Sequence, residues 1–158
     1  MNIELQAGAF VHFMAASGGA PRPPEIGNGG DRAAPSLRGR SILVVEDESL
    51  IALLVADALE EAGASVVGPC YTLEECLRAA REEQIDAAVL DVDLAGKDVF
   101  PAAEELRRRG IPFLFHTAHA YRDELQARFG EIPVCRKPIP MDELTASIAR
   151  IAADGAAN

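Results

Sequence analysis

The chain contains 158 residues, of which 49% are hydrophobic and 25% are charged, proportions that are typical of one soluble globular domain. Its 25 acidic residues outnumber the 15 basic ones and give a formal net charge of −10, which argues against a nucleic acid held by bulk charge. No apolar run approaches the ~20 residues that a membrane-spanning helix needs. We therefore expect a protein that binds neither nucleic acid nor a membrane.

Residues 1–39 differ in composition from the rest of the chain. They are rich in Gly and Pro, as in PRPPEIGNGG, and lack hydrophobic periodicity, which predicts a disordered extension. The apolar stretch 7–16 is not preceded by the basic residues of a signal peptide. A short docking helix, or translation upstream of a true start such as Met14, are the alternatives for this stretch. We expect residues 40–155 to form a single cytoplasmic domain, with the three cysteines as reduced thiols.

From residue 40 onward, short apolar runs alternate with segments of helical periodicity. The apolar runs predict buried strands at 41–45, 65–68, 86–92, 111–117 and 132–135. The helical spacing predicts helices at 49–62, 73–84, 98–109, 121–129 and 141–152. In the first helix the apolar residues are Leu50, Leu53, Leu54, Ala58 and Leu59.

This alternation corresponds to five βα units. Strands that are apolar throughout belong to a parallel sheet that helices cover on both faces. Five units are too few for an eight-stranded barrel, so we expect an α/β fold of the flavodoxin-like, doubly wound (βα)5 type, with a five-stranded parallel sheet in the order 2-1-3-4-5. In this class, ligands bind outside the carboxyl ends of the strands. We therefore expect the functional residues at that edge of the sheet.

Acidic residues follow two of the predicted strands at this edge. Glu46 and Asp47 follow the first strand, and Asp91 and Asp93 lie at the end of the third. Because strands one and three are neighbours in the expected order, their carboxylates converge, and mutual repulsion disfavours ionisation of all of them. A divalent cation relieves this repulsion, and a site with few protein oxygens suits Mg²⁺ better than Ca²⁺.

A hydroxyl and an ammonium group follow the remaining strands. Thr117 ends the fourth strand and Lys137 follows the fifth, although this chain uses almost only arginine as its basic residue. The compact lysine ammonium pairs as a point charge with a carboxylate or a phosphoryl oxygen. Pro138 ends the strand and shapes the following loop. Together with the acidic residues, this set predicts a phosphoryl group carried on a carboxylate.

These motifs resemble the receiver domains of two-component response regulators. The matching segments are VVEDE, VLDVD, FHTA and RKPI, and the resemblance runs from about residue 40 to residue 153. It implies that Asp91 attacks the phosphorus of a phosphohistidine on a sensor histidine kinase or a histidine phosphotransfer protein, and that Thr117 and Lys137 bind phosphoryl oxygens. The metal ligands that it implies are Glu46, Asp47, Asp91 and the backbone carbonyl of Asp93.

The chain departs from the family pattern at two places. The family usually has Asp-x-x-x-Pro followed by glycine, whereas here the segment is Asp91-Val-Asp-Leu-Ala-Gly96. We therefore expect Gly96 to bend this loop and Asp93 to alter the lifetime of the phosphoryl group. The aromatic residue that often precedes the lysine is replaced by Val-Cys-Arg. Tyr121 is instead similar to the tyrosine of a Phe-Ala-Thr-Gly-x-Tyr subclass and is a switch candidate, with half-buried packing as the alternative.

The sequence after the last predicted helix is short, so we expect no DNA-binding output domain. The resemblance then implies a stand-alone receiver, a monomer or weak homodimer, that signals to an unknown downstream protein or passes the phosphoryl group onward. Such a protein catalyses only its own phosphorylation and dephosphorylation. One alternative is a pseudo-receiver that binds partners without phosphorylation. Another is a haloacid-dehalogenase-like phosphatase that uses Asp91 and Asp93.

Overall fold

The computed structural model describes residues 36–118 and 122–155. Helices and strands alternate through this part of the chain. In order, they are β1 (Ser41–Val45), α1 (Ser49–Glu61), β2 (Ser65–Cys70), α2 (Leu73–Glu82), β3 (Ala87–Leu90), β4 (Asp93–Leu94), β5 (Lys97–Asp98), α3 (Phe100–Arg108), β6 (Phe113–Thr117), α4 (Arg122–Phe129), β7 (Val134–Arg136) and α5 (Met141–Gly155).

Five of these strands form one parallel sheet in the order β2-β1-β3-β6-β7. The strands β4 and β5 form a separate hairpin. When the five strands of the sheet alone are numbered in chain order, their order across the sheet is 2-1-3-4-5. The predicted flavodoxin-like fold and its strand order are confirmed. The reversal of strand order beside β1 and β3 places a crevice at the carboxyl ends of these two strands.

The sheet is covered on both faces, as its continuously apolar strands require. Successive residues of a strand point to opposite faces. Leu43 belongs to an apolar cluster that includes residues of α2, α3 and α4, whereas Val44 belongs to a second cluster with residues of α1 and α5. On β6, Phe115 lies on the same face as Leu43, and Leu114 lies on the same face as Val44. The result is two apolar layers that hold the carboxyl end of each central strand in place.

Helix α1 begins at the predicted Ser49, but three of its four leucines face outward. Leu50 is 71% exposed, and Leu53 and Leu54 are each 51% exposed. The residues that α1 buries are Ala52, Val55, Ala56 and Leu59. Both stripes have helical spacing, so the periodicity predicts the helix without deciding which stripe packs on the sheet.

The β4–β5 hairpin lies inside the loop that follows β3 and was not predicted. Its two strands pair Asp93 with Asp98 and Leu94 with Lys97. Ala95 and Gly96 form the turn with φ of 54° and 86°, and positive φ at both central residues is the signature of a type I′ hairpin.

The packed domain extends slightly upstream of residue 40. Leu37 is fully buried, and its N–H donates to the carbonyl oxygen of Ala62 at 3.3 Å. Most of the predicted extension, residues 1–35, lies outside the described residues, as does Tyr121. No helix in the described ranges is long and apolar enough to cross a membrane.

Candidate functional site

The acidic residues predicted at the strand ends meet in one crevice. The N–H of Asp91 donates to the carbonyl of Val45 at 2.9 Å, and the N–H of Glu46 donates to the carbonyl of Cys70 at 3.0 Å. These bonds continue the sheet pairing one residue beyond β1 and β3. Carboxylate oxygens of Glu46, Asp47 and Asp91 all lie within 4.8 Å of one another. The sheet backbone therefore brings together three of the four acidic residues predicted there, and the carboxylate of Asp93 is not part of this group.

Lys137 reaches this cluster from the end of β7. Its Nζ lies 2.6 Å from Oε2 of Glu46 and 2.6 Å from Oδ2 of Asp91. The three side chains are 12%, 3% and 10% exposed, respectively, so the ion pairs are largely shielded from water. The peptide bond between Lys137 and Pro138 is cis.

Thr117 is placed beside Lys137 by the pairing of β6 with β7. The backbone N–H of Lys137 donates to the carbonyl oxygen of Thr117 at 2.9 Å, and the threonine is 1% exposed. The two residues predicted to bind phosphoryl oxygens are thus neighbours across two strand ends, at the same edge of the sheet as Asp91.

Burial and crowding of charge perturb the ionisable groups of the site. Burial, together with the negative charge of Asp91, raises the pKa of Glu46 to about 7, although its bond to Lys137 opposes this change. Burial alone would lower the pKa of Lys137, but hydrogen bonds to Asp91 and Glu46 outweigh it and raise that pKa. Lys137 is therefore a stable cation beside carboxylates that resist full ionisation together.

His116 lies under the same crevice and is 3% exposed. Burial, with the positive charge of Lys137, lowers the pKa of His116 to about 4, against the opposing effect of Asp91. The imidazole is therefore neutral at physiological pH.

The turn of the β4–β5 hairpin closes one side of the crevice. The N–H of Ala95 donates to Oδ2 of Asp47 at 3.1 Å, and the N–H of Gly96 donates to Oδ1 of Asp93 at 2.6 Å. The N–H of Asp93 in turn donates to Oδ1 of Asp91 at 3.3 Å. Sequence reasoning missed Ala95, because a backbone donor acquires a role only when the loop conformation aims it.

The cluster fits a hard divalent cation. Its three carboxylates offer only oxygen ligands, and Mg²⁺ prefers one or two carboxylates completed by water and phosphate oxygens. Burial raises the pKa of Glu46 despite its bond to Lys137, and the negative charge of Asp91 adds to this effect. A cation held by Glu46, Asp47 and Asp91 would offset their negative charge.

Comparison with known proteins agrees with this geometry. Residues 42–149 match the family model described as the response regulator receiver domain. The chain belongs to this family, whose members are signalling domains of two-component systems rather than conventional enzymes.

Several relatives share this domain. The transcriptional regulatory protein PdtaR of Mycobacterium tuberculosis is 31% identical over 121 residues, which cover 75% of this chain and 57% of PdtaR. The response regulator PhyR of Brucella abortus superposes with a TM-score of 0.67 at 27% identity, covering 78% of this chain and 52% of PhyR. The chain thus spans little more than half of either relative. The response regulator TrrA of Thermotoga maritima, in complex with Mg²⁺ and BeF, superposes with a TM-score of 0.62 at 26% identity, covering 71% and 98% of the two chains.

Proposed function

We propose that this receiver domain accepts a phosphoryl group on Asp91 from the phosphohistidine of a sensor histidine kinase or a histidine phosphotransfer protein. The observation that carries the proposal is the position of Asp91. Its carboxylate is a member of the acidic cluster that fits Mg²⁺ and also contacts the ammonium of Lys137. TrrA, whose structure superposes on this domain, was solved in complex with Mg²⁺ and BeF and supports a Mg²⁺ site here.

The transfer is a simple displacement at phosphorus. A carboxylate oxygen of Asp91 forms the new P–O bond, the P–N bond of the phosphohistidine breaks, and its electron pair returns to the imidazole nitrogen. When bound by Glu46, Asp47, Asp91 and the backbone carbonyl of Asp93, Mg²⁺ neutralises charge on the phosphoryl oxygens. The protein contributes mainly position and electrostatic stabilisation.

Lys137 and Thr117 act on the oxygens of the transferred group. Lys137 already contacts Oδ2 of Asp91 at 2.6 Å, so a phosphoryl group on this aspartate places its oxygens within reach of the flexible ammonium. Thr117, held at the neighbouring strand end, supplies a hydroxyl donor. The acidic Asp93 lies two residues from Asp91 and is expected to alter how quickly water removes the phosphoryl group.

The exposed leucines of α1 provide a surface for the histidine-bearing partner. Leu50 lies three residues after the Glu46–Asp47 pair. The stripe formed by Leu50, Leu53 and Leu54 therefore begins beside the site. Helix α1 carries acidic residues near this stripe and no lysine or arginine. An amphipathic partner helix with an apolar face and basic flanks complements it in both respects.

Intact-mass measurement after incubation with acetyl phosphate tests the proposal. We expect an adduct of about 80 Da, the mass of one phosphoryl group, with Mg²⁺ and none with EDTA. Asp91→Asn abolishes the adduct. Asp93→Asn removes a neighbouring carboxylate while leaving the acceptor, so it still gives an adduct, although the lifetime of that adduct is expected to change.

The same experiment separates the alternatives. A pseudo-receiver gives no adduct under any condition, although it retains partner binding. A haloacid-dehalogenase-like phosphatase turns over a model phosphate ester repeatedly, and Asp93→Asn slows this turnover. An adduct that persists in Asp91→Asn contradicts the assignment of the acceptor.

A further inference from the structure

The β4–β5 hairpin is too short to be stable by itself. Each strand has two residues, and isolated two-stranded hairpins are marginal in water even when longer. Contacts with the domain therefore hold it. Leu94 is 3% exposed and belongs to the apolar cluster on one face of the sheet, and the N–H of Val99 donates to the carbonyl of Val92 at 2.9 Å at the base of the hairpin.

The turn of this hairpin has one well-suited residue and one poorly suited residue. Gly96 adopts φ of 86° without steric cost, whereas Ala95 has φ of 54°, where a β-carbon crowds the backbone. Among the described residues, Ala95 is the one non-glycine residue with positive φ. Asn-Gly, rather than Ala-Gly, is the pair that type I′ hairpins prefer.

The turn is also the part of the hairpin that touches the acidic cluster. Ala95 donates its N–H to Asp47, and Gly96 donates its N–H to Asp93, at 3.1 Å and 2.6 Å. Hydrogen bonds from backbone N–H to a carboxylate are charge-assisted and fix its orientation. They also offset part of the repulsion between Asp47 and the neighbouring carboxylates.

We propose that the β4–β5 hairpin sets the Mg²⁺ affinity of the site, with Ala95 as a positioning residue that acts through Asp47. The inference rests on the proposed function, since it concerns the metal of that site. When the turn is formed, Asp47 and the backbone of Asp93 are already oriented, and metal binding does not have to order them. The strain at Ala95 opposes the formed turn and keeps Mg²⁺ affinity below what the same carboxylates can reach.

Substitutions in the turn test this inference without changing any charge. Ala95→Asn relieves the strained turn, and we expect it to tighten Mg²⁺ binding about 2- to 5-fold. Gly96→Ala places a β-carbon at φ of 86° with no atom within 4 Å of it, so its effect is on the backbone alone, and we expect weakening of about 3-fold or more. Isothermal titration calorimetry of the full chain measures both dissociation constants.

A matched control separates the turn from general stability. Gly110 has φ of +71°, and a β-carbon there also meets no atom within 4 Å, but it lies between α3 and the start of β6, at the edge of the parallel sheet opposite the acidic cluster. Gly110→Ala therefore introduces comparable backbone strain and is expected to leave the Mg²⁺ dissociation constant within about 2-fold of the wild type. Thermal unfolding monitors the stability of each variant.

A metal-free measurement distinguishes relief of the strained turn from direct binding of Mg²⁺ by the Asn side chain of Ala95→Asn. In EDTA, hydrogen exchange of the residue 95 amide is expected to be slower in Ala95→Asn than in the wild type. The inference is overturned if Ala95→Asn binds Mg²⁺ no more tightly than the wild type, or if Gly96→Ala and Gly110→Ala weaken binding equally. As long as the wild type binds Mg²⁺, neither result contradicts the proposed function. A wild-type chain that binds no Mg²⁺ overturns both.

Discussion

The Nζ of Lys137 lies 2.6 Å from Oδ2 of Asp91, although 46 residues separate them in the chain. This contact joins the carboxyl end of β7 to that of β3, across the intervening β6. The same ammonium also bonds to Glu46, so one side chain draws three strand ends together. The charges that position the Asp91 carboxylate are therefore themselves part of the stability of the domain.

Removal of the Lys137 ammonium is expected to destabilise the metal-free protein strongly. Lys137→Met leaves Glu46 and Asp91 buried without their cation, and breaking a buried pair in this way costs about 3–5 kcal/mol. Urea unfolding in EDTA at pH 8 measures the loss. The loss is expected to shrink at pH 5.5, where Glu46, with its pKa of about 7, is protonated.

The other lysine of the chain supplies the control. Lys97 pairs with Glu74 at 2.7 Å, but the side chains are 59% and 69% exposed, and such surface pairs contribute little. Lys97→Met is expected to leave the free energy of unfolding unchanged within error. Equal losses for both variants would contradict the buried role of Lys137.

The raised pKa of Glu46 predicts a loss of stability as pH rises. Between pH 4.5, the ordinary value, and about 7, the folded protein keeps a proton that the unfolded chain releases. The contribution of Glu46 to stability in EDTA therefore falls across this window, by about 3 kcal/mol in total. Glu46→Gln lacks the titrating group, so the difference in free energy of unfolding between the wild type and this variant, measured by chemical denaturation at several pH values, is expected to follow this slope.

The lowered pKa of His116 predicts that stability rises with pH, over a pH range that overlaps that of Glu46. Its pKa falls from 6.5 to about 4 on folding, so below pH 6.5 the unfolded chain binds a proton that the folded protein refuses. Its contribution to stability is lost as pH falls toward 4, by about 3 kcal/mol. The two effects nearly cancel between pH 4.5 and 6.5. Glu46→Gln should then unmask the histidine, and His116→Asn the glutamate. Identical pH profiles for both variants would exclude this compensation.

Arg108, the last residue of α3, and Arg109, which follows it, differ in role. Arg109 donates to the carbonyls of Ala80 at 2.5 Å and Glu83 at 3.0 Å, both at the end of α2. Arg108 instead pairs with Glu105 on its own helix. Arg109→Ala is expected to lower the free energy of unfolding by about 2 kcal/mol, because it leaves charge-assisted bonds unmade. Arg108→Ala should have no measurable effect, and the reverse ranking would contradict the bridge between α2 and α3.

The leucine stripe of α1 predicts a separation of docking from chemistry. Leu53→Ala is expected to raise the KM for phosphotransfer from a cognate histidine-bearing partner about 5-fold or more. It leaves the rate with acetyl phosphate unchanged, because that small donor needs no docking surface. Leu59→Ala is the control on the same helix, since this leucine is 1% exposed, and its truncation destabilises the domain by about 2–5 kcal/mol. Slower reaction of Leu53→Ala with acetyl phosphate would point to a structural effect instead.

Much of the fold could be predicted because its patterns are local. The apolar runs of β1 and β3 and the capping pair of α2, in which the N–H of Glu75 donates to Oγ1 of Thr72 at 3.2 Å, are written within a few residues each. The α1 stripes show the limit of such patterns. Both apolar stripes have helical spacing, and only the packed structure decides that the stripe with Ala52, Val55, Ala56 and Leu59 is the buried one.

The sequence by itself determined the fold class, the strand order and the residues that gather at the carboxyl edge of the sheet. Motif order and parallel topology bring Asp91, the Glu46–Asp47 pair and Lys137 to that edge, whatever the details of the loops. Only the tertiary structure decided that Lys137 bridges both carboxylates and that the turn at Ala95 donates to Asp47. These relationships depend on the direction of single bonds after packing, and no periodicity or spacing in the chain encodes that direction.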